Sequence, residues 1–175
     1  MKSEIKSEVL SIEPLDLLEK KTISEVLIWI ESGVELCRLE KPATPDKHLV
    51  SYFMVTDGDY LLLVDHINAE KWLPTGGHVN PGEHPKETAT REAYEELKIE
   101  ADFVLEKPIF ITSTETVGKT AGHVDVSLWY VLKGDRNTPV HIDRTEFHQA
   151  HWFHKSNLPA NCDPHLSRFV KKMYG

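Results

Sequence analysis

Three glutamates, Glu92, Glu95 and Glu96, stand within five consecutive residues of the stretch 76–100, GGHVNPGEHPKETATREAYEELKIE. On a helix, at ~100° per residue, they span an arc of about 100°. Ala89, Ala93 and Leu97 form the adjoining stripe, the side such a helix would bury. The carboxylates therefore border the buried face, where the wall of a cleft would run. The arrangement is locally unfavourable: like charges at i,i+3 and i,i+4 each cost ~0.2–0.5 kcal/mol. Acids in the last turns also oppose the negative end of the helix dipole. Oxygen-rich clusters that break several local rules at once suit hard cations such as Mg²⁺, Mn²⁺ or Ca²⁺. For three glutamates taken alone, a solvated acidic helix face is the competing reading. The surroundings favour a site. Gly76 and Gly77 allow close backbone approach to a ligand, and Pro81-Gly82-Glu83 forms a turn into the helix. Arg91 is spaced to pair with Glu95 at i,i+4, or with Glu83 across the loop.

With its flanks, the segment resembles the Nudix box, G-x5-E-x7-R-E-U-x-E-E-x-G-U, where U is a bulky apolar residue. Gly77, Glu83, Arg91, Glu92, Glu95, Glu96 and Ile99 match at the required spacings, with Ala93 a small stand-in at the first apolar position. WLPTGG upstream and HVDVSLWYV downstream resemble the strands that flank the box in stand-alone bacterial, MutT-like members, so the resemblance covers about residues 48 to 158. It departs at Lys98, which stands where the box has its last glycine. A lysine held there in the left-handed conformation would cost on the order of 1–2 kcal/mol; a helix running one turn longer would avoid that.

The resemblance implies hydrolysis of a diphosphate bond in a nucleoside diphosphate linked to another group. It implies Mg²⁺ or Mn²⁺ held by Glu92, Glu95, Glu96 and the Gly76 carbonyl, with Gly77, Glu83 and Arg91 as scaffolding. The catalytic base is a box glutamate (Glu92 or Glu95) or an acid from an outside loop, for which Glu115 in STETVGKTAG is the candidate; an ordinary exposed loop acid reads the same. Lys119 in that loop could meet a phosphate. The partner is then a small nucleotide-like molecule, and the family also admits a homodimer. Two other readings stay open. One is a nucleotide-binding regulatory module on the same fold without catalysis. The other is isoprenoid-type diphosphate isomerisation, which would want a placed reactive cysteine.

Other side chains carry weaker signals. Trp72, Tyr52, Phe110 and Trp129 could stack on a base or belong to the core. In HVDVSLWYV, Val124, Val126, Leu128 and Tyr130 fall on one face and His123, Asp125, Ser127 and Trp129 on the other. That second face is solvent or cleft wall; as cleft wall it adds His123 and Asp125 to Trp72 as candidate substrate contacts. His148, His151 and His154 suggest zinc, but i and i+3 on a strand face opposite sides.

The elements that position these groups read as α+β, an α/β/α sandwich: a mixed sheet flanked by helices, with an N-terminal helical extension over 1–47 and the catalytic domain over 48–175. Residues 14–40 read as helical, with Thr22 and Glu25 in capping-box spacing, Ile23, Leu27 and Ile30 on one face, and Gly33 as a stop. VSYFMVTDG and DYLLLVDH form a hairpin about Asp57-Gly58; WLPTGGHV is a short strand. A helix from Pro85 to Lys98 follows, then strands near 103–115, 123–133 and 147–154 and a C-terminal amphipathic helix.

The chain has 175 residues, 40% of them hydrophobic, which suffices for one domain. A net charge of −8 argues against a nucleic-acid polymer as partner. A polyanionic ligand would then be drawn by a cation. There is no signal peptide and no apolar run of the ~20 residues that a span needs. Cys37 and Cys162 fall in no metal or redox spacing, so a soluble cytoplasmic protein with reduced thiols is expected.

Overall fold

Either side of the Asp57-Gly58-Asp59 turn, VSYFMV and YLLLV are nearly all apolar, and such runs suit strands covered on both faces. The computed structural model, described over residues 1–41, 44–117 and 121–175, places them centrally. Strand β1 (Lys47–Asp57) turns at Gly58 into β2 (Tyr60–His66), with Asp57 opposite Tyr60. The expected WLPTGGHV strand is broken at Pro74 into β3 (Lys71–Leu73) and β4 (Thr75–His78). β5 (Phe110–Glu115), β6 (Val124–Lys133) and β7 (Phe147–His154) complete a seven-stranded sheet. Its path runs β3-β2-β1-β6-β5, with β4 paired to β1 and β7 to β2. Among the strand pairs of the described residues β1–β6 alone is parallel, with His48 opposite Asp125.

Four helices flank the sheet, which makes the architecture the expected mixed-sheet sandwich. Helix α3 (Pro85–Leu97) lies on one face and packs Ala89, Ala93 and Leu97 against Leu49, Phe53, Val126 and Leu128. Two N-terminal helices, α1 (Lys2–Ser11) and α2 (Leu17–Glu31), contribute Ile5, Val9, Ile12, Val26 and Ile30 to the same cluster. Helix α4 (Leu166–Tyr174) covers the other face, setting Leu166 and Phe169 on Met54, Leu61, Phe110 and Trp129. Both faces of β6 are thus buried at Trp129 and Tyr130, so Trp129 and Phe110 are core residues. Among the described residues no helix is long and apolar enough to cross a membrane.

The N-terminal reading needs correction. The helix starts close to the expected residue 14, but its cap is Asp16, whose carboxylate accepts the Glu19 N–H (2.8 Å), and not Thr22. Thr22 lies inside the helix, its hydroxyl bonded back to the Leu18 carbonyl. The helix ends at Ser32 before Gly33, so residues 34–40 are not helical, and α1 was not foreseen. Buried acids attach this layer. Glu19 accepts from Lys172 of α4 (2.6 Å) and from the backbone N–H of Ile111 on β5 (3.3 Å). Glu8 accepts from the Tyr130 hydroxyl (2.9 Å).

Helix α3 starts at a full capping box, His84 accepting from Lys86 N and Glu87 from His84 N, with Pro85 in the first turn. It ends where the glycine of the box would stand. Lys98 adopts the left-handed conformation (φ 55°, ψ 35°), and Ile99 N–H closes on the Ala93 carbonyl. The lysine keeps the turn a glycine would make and accepts the strain. Its ammonium bonds the Glu95 carbonyl (3.1 Å) over the Tyr94 ring. Lys98→Gly should therefore stabilise the protein by ~1 kcal/mol, a Tm gain of about 2–4 °C for this chain length. Thermal unfolding measures it; a fall in Tm would show that the lysine's contacts outweigh the strain.

Candidate active site

The close approach of α3 to β4 builds the site. A Cβ on Gly77 would collide with the Glu92 carboxylate, and one on Gly76 (φ 152°) would collide with the Ser51 carbonyl and with Tyr52. Gly76 accepts only glycine, whereas a side chain at Gly77 would have to displace the Glu92 carboxylate, and the two missing side chains let the helix lie against the strand. The Gly76 N–H donates to Glu96 Oε2 (3.1 Å). The structure describes this amide contact of Gly76, while a role for its carbonyl stays an expectation.

Arg91 organises the other acids. Its Nε and Nη2 donate to the two oxygens of Glu83 (2.8 and 3.0 Å), and Nη1 donates to Glu92 (2.6 Å) and Glu95 (3.1 Å). The two alternatives for Arg91 are therefore both realised. Glu83 also accepts from Asn80 N–H, which fastens the loop ahead of the helix. Glu92, Glu95 and Glu96 grade from buried to exposed: the Glu96 residue is 5% exposed, while the Glu92 and Glu95 side chains are 14% and 57% exposed. Burial first, then the charges of Glu92 and Glu146, push the Glu96 carboxyl up to about 9. Burial likewise raises Glu92.

Glu146 is the residue that sequence reasoning missed. Asp143 N–H bonds the Glu96 carbonyl (2.9 Å), and the turn through 143–147 brings Glu146 close enough to act on Glu92 and Glu96. TEF in a polar loop carries no signal for this; the turn's attachment to the helix end creates it. Glu115 sits exposed at the end of β5, opposite Val124. Lys119 lies outside the described residues. Trp72 is half-buried on β3, edge-on to Phe153 (4.9 Å), with its backbone bonded to Asn161 and Asp163. Tyr52 packs edge-on against Trp129.

His123 and Asp125 are not beside the box carboxylates by any bond. They meet His48 and His78, and the four ligating atoms lie within 4.8 Å of one another. The β7 histidines do not form such a group: His154 bonds Ser156 (2.7 Å), and His151 leans edge-on against Phe153. Cys37 is buried and its thiol is pushed up to about 11 by burial and by Glu35. Burial also raises Cys162, so neither thiol is activated as isomerase chemistry would require.

With α3 and its glycine pair placed, the comparisons with known proteins agree. A family model described as the NUDIX domain matches residues 46–173. The rat bis(5'-nucleosyl)-tetraphosphatase [asymmetrical] is 31% identical over 105 residues, covering 60% of this chain and 69% of that protein. A NUDIX-family hydrolase from Clostridium perfringens has a similar fold, with TM-score 0.58 at 22% identity over 72% of this chain and 95% of the other. The dihydroneopterin triphosphate pyrophosphohydrolase of E. coli does too, with TM-score 0.57 at 14% identity over 72% and 93% of the two chains.

The raised Glu96 carboxyl fixes a pH response. In the cation-free folded chain Glu96 holds its proton up to about pH 9; unfolded, it loses it near its ordinary 4.5. The folded state binds more protons across that window, so this group's contribution to stability falls as pH rises from 4.5 to 9. Chelator-treated protein should lose stability over that range, and Glu96→Gln should flatten the loss. Chemical denaturation at a series of pH values tests it; identical slopes in the two proteins would refute it.

Proposed function

The chain belongs to the NUDIX family, and on that premise we propose that it is a divalent-cation-dependent pyrophosphohydrolase opening a diphosphate bond in a nucleoside diphosphate that carries a further group. The observation that carries this reading is the pair of carboxylates facing a glycine strand, Glu96 buried and Glu92 partly buried. Arg91 is already committed to Glu83, Glu92 and Glu95, and the bond resolved for the Glu96 side chain is one amide N–H. Buried like charges of this kind call for a cation, and an all-oxygen donor set suits Mg²⁺ or Mn²⁺. The residues present fit such an ion.

Glu92, Glu95 and Glu96 would hold the ion, helped by the Gly76 carbonyl. A divalent cation there supplies neutralisation of phosphate charge and polarisation of the attacking water. Glu83 and Arg91 keep loop and helix in register, which sets the angle at which the carboxylates point. The base that takes the water's proton is Glu95 or Glu92 from the box, or an outside acid. Glu146 has the stronger claim to that outside role, because it already interacts with the box pair, whereas Glu115 is exposed at a strand end. Trp72 offers an edge for a nucleobase. The partner class is a small nucleotide; the similarity to the rat enzyme supports testing dinucleoside polyphosphates first.

Purified protein assayed with Mg²⁺ or Mn²⁺ against dinucleoside polyphosphates, NTPs, ADP-ribose, NDP-sugars and NADH should turn over at least one class. Glu92→Gln and Glu96→Gln should each lower the rate by at least ~100-fold. Absence of metal-dependent turnover on every class, or full activity of Glu96→Gln, would defeat the reading.

A further inference from the structure

A second group of side chains has the chemistry of a metal site, and none of its members belongs to the carboxylate helix. His48 and Asp125 are opposite one another in the parallel β1–β6 pair. His78 on β4 is opposite Val50, two residues beyond His48 on the same side of β1. His123 precedes Asp125 by two and shares its side of the sheet. His48 on β1, His78 on β4 and His123, in the bend leading into β6, thus gather about the Asp125 carboxylate on β6. His48 is fully buried and His123 is 7% exposed. The side chains of His78 and Asp125 are 26% and 16% exposed, which leaves an entry path.

Hydrogen bonding fixes which nitrogens face inward. The Pro45 carbonyl can only accept, so at 2.8 Å it takes the Nδ1 proton of His48. In the neutral ring Nε2 is then a bare lone pair, and it lies 3.3 Å from Asp125 Oδ1, itself an acceptor. Both atoms are buried and neither makes a hydrogen bond. Two facing acceptors repel unless something positive lies between them. The Arg38 guanidinium can only donate, so at 3.2 Å it meets a lone pair on His78 Nε2. Burial and Arg38 hold that imidazole neutral. His123 Nδ1 is 3.2 Å from the Thr116 hydroxyl, whose oxygen also lies 3.1 Å from the His123 carbonyl as a donor. With that hydroxyl donating to the carbonyl, its oxygen accepts from Nδ1, which leaves Nε2 of His123 facing Asp125 at 3.4 Å.

The distances from Asp125 are those of a small tetrahedral ion, and the donor atoms, within 4.8 Å of one another, must draw together to close on it. With metal–ligand bonds of ~2.0–2.1 Å, ligand atoms at tetrahedral angles are ~3.3 Å apart. Asp125 Oδ1 lies 3.3, 3.4 and 3.8 Å from the Nε2 atoms of His48, His123 and His78. Backbone-carbonyl and hydroxyl partners on Nδ1 are the outer-shell contacts that orient ligating histidines. Three imidazoles and one carboxylate favour a borderline cation over the hard ions suited to an all-glutamate set. The competing charge is Arg38, which must swing from His78 when an ion enters; Glu92 and Asp125 both attract it. An anion in the same place would meet the Asp125 carboxylate.

We propose that His48, His78, His123 and Asp125 form a transition-metal site for a Zn²⁺-class cation, separate from the carboxylate site, which ties β4 to β1 and β6 behind the Gly76-Gly77 approach. The donors stand on their own geometry, so the proposal does not rest on the catalytic reading.

The test titrates Co²⁺, as a spectroscopic probe for Zn²⁺, into chelator-treated full-length protein. A tetrahedral visible absorption saturating at one equivalent is expected, reversed by Zn²⁺ and insensitive to excess Mg²⁺. It should persist in the Glu92→Gln/Glu95→Gln/Glu96→Gln protein. Loss of an orienting partner alone costs about 10–100-fold in affinity, so Asp125→Asn and His78→Gln should each weaken binding by at least ~100-fold. Both replacements are at partly exposed positions, and circular dichroism checks that each variant folds; either folded variant decides the outcome. No tetrahedral spectrum, a spectrum unchanged in the folded variants, or one abolished by the glutamate replacements would each overturn the assignment.

Discussion

The contact on which the rest depends is the approach of α3 to β4, close enough for the Gly76 N–H to donate to Glu96 and for Glu92 to fill the space a Gly77 side chain would occupy. That approach draws Glu92 and Glu96 out of water and raises their pKa values, a penalty that a divalent cation bound there would reverse. Ala89 and Ala93 bring the helix down onto the sheet; Arg91 and Glu83 hold the loop that feeds it. On the proposed reading, crowded acids that look destabilising in isolation are tolerated because a ligand of opposite charge would complete them.

The layer beneath has its own supports. Glu19, fully buried, takes bonds from α4 and from the edge of β5, so the N-terminal helices and the C-terminal helix share one anchor. Removing one partner from such a buried pair strands a charge, at a typical cost of about 3–5 kcal/mol. The core that receives Ala89 and Ala93 also receives Ile5, Val9 and Ile30, which couples the packing of the N-terminal helices to the seat of α3. On the opposite face, α4 covers Met54 and Trp129, while the ends of β1 and β6 at His48 and Asp125 carry the imidazole group.

What could be read from residues alone follows the range of the interactions. The box was legible because its members lie on one helix and its loop, where spacing fixes geometry. The β1–β2 hairpin was legible from Asp57-Gly58 for the same reason. The cap of α2 was misassigned because Thr22 and Glu25 imitate a capping box within a helix already capped by Asp16. Helix α1 was overlooked because its narrow stripe of Ile5, Val9 and Ile12 is embedded among charges. His123 and Asp125 were noticed as one strand face, but their partners are 75 and 45 residues or more away in sequence and meet them through strand register. Glu146 depends on the Asp143–Glu96 backbone bond, which no local pattern announces.

The central claim is that a cation binds the buried carboxylates by displacing the Glu96 proton. Calorimetric titration of Mn²⁺ into the chelator-treated protein near pH 7.5, in two buffers of different ionisation enthalpy, counts the protons released. About one proton should leave per ion in the native chain and almost none in Glu96→Gln, whose affinity should also fall. Binding of equal strength with equal proton release in both proteins would contradict the account.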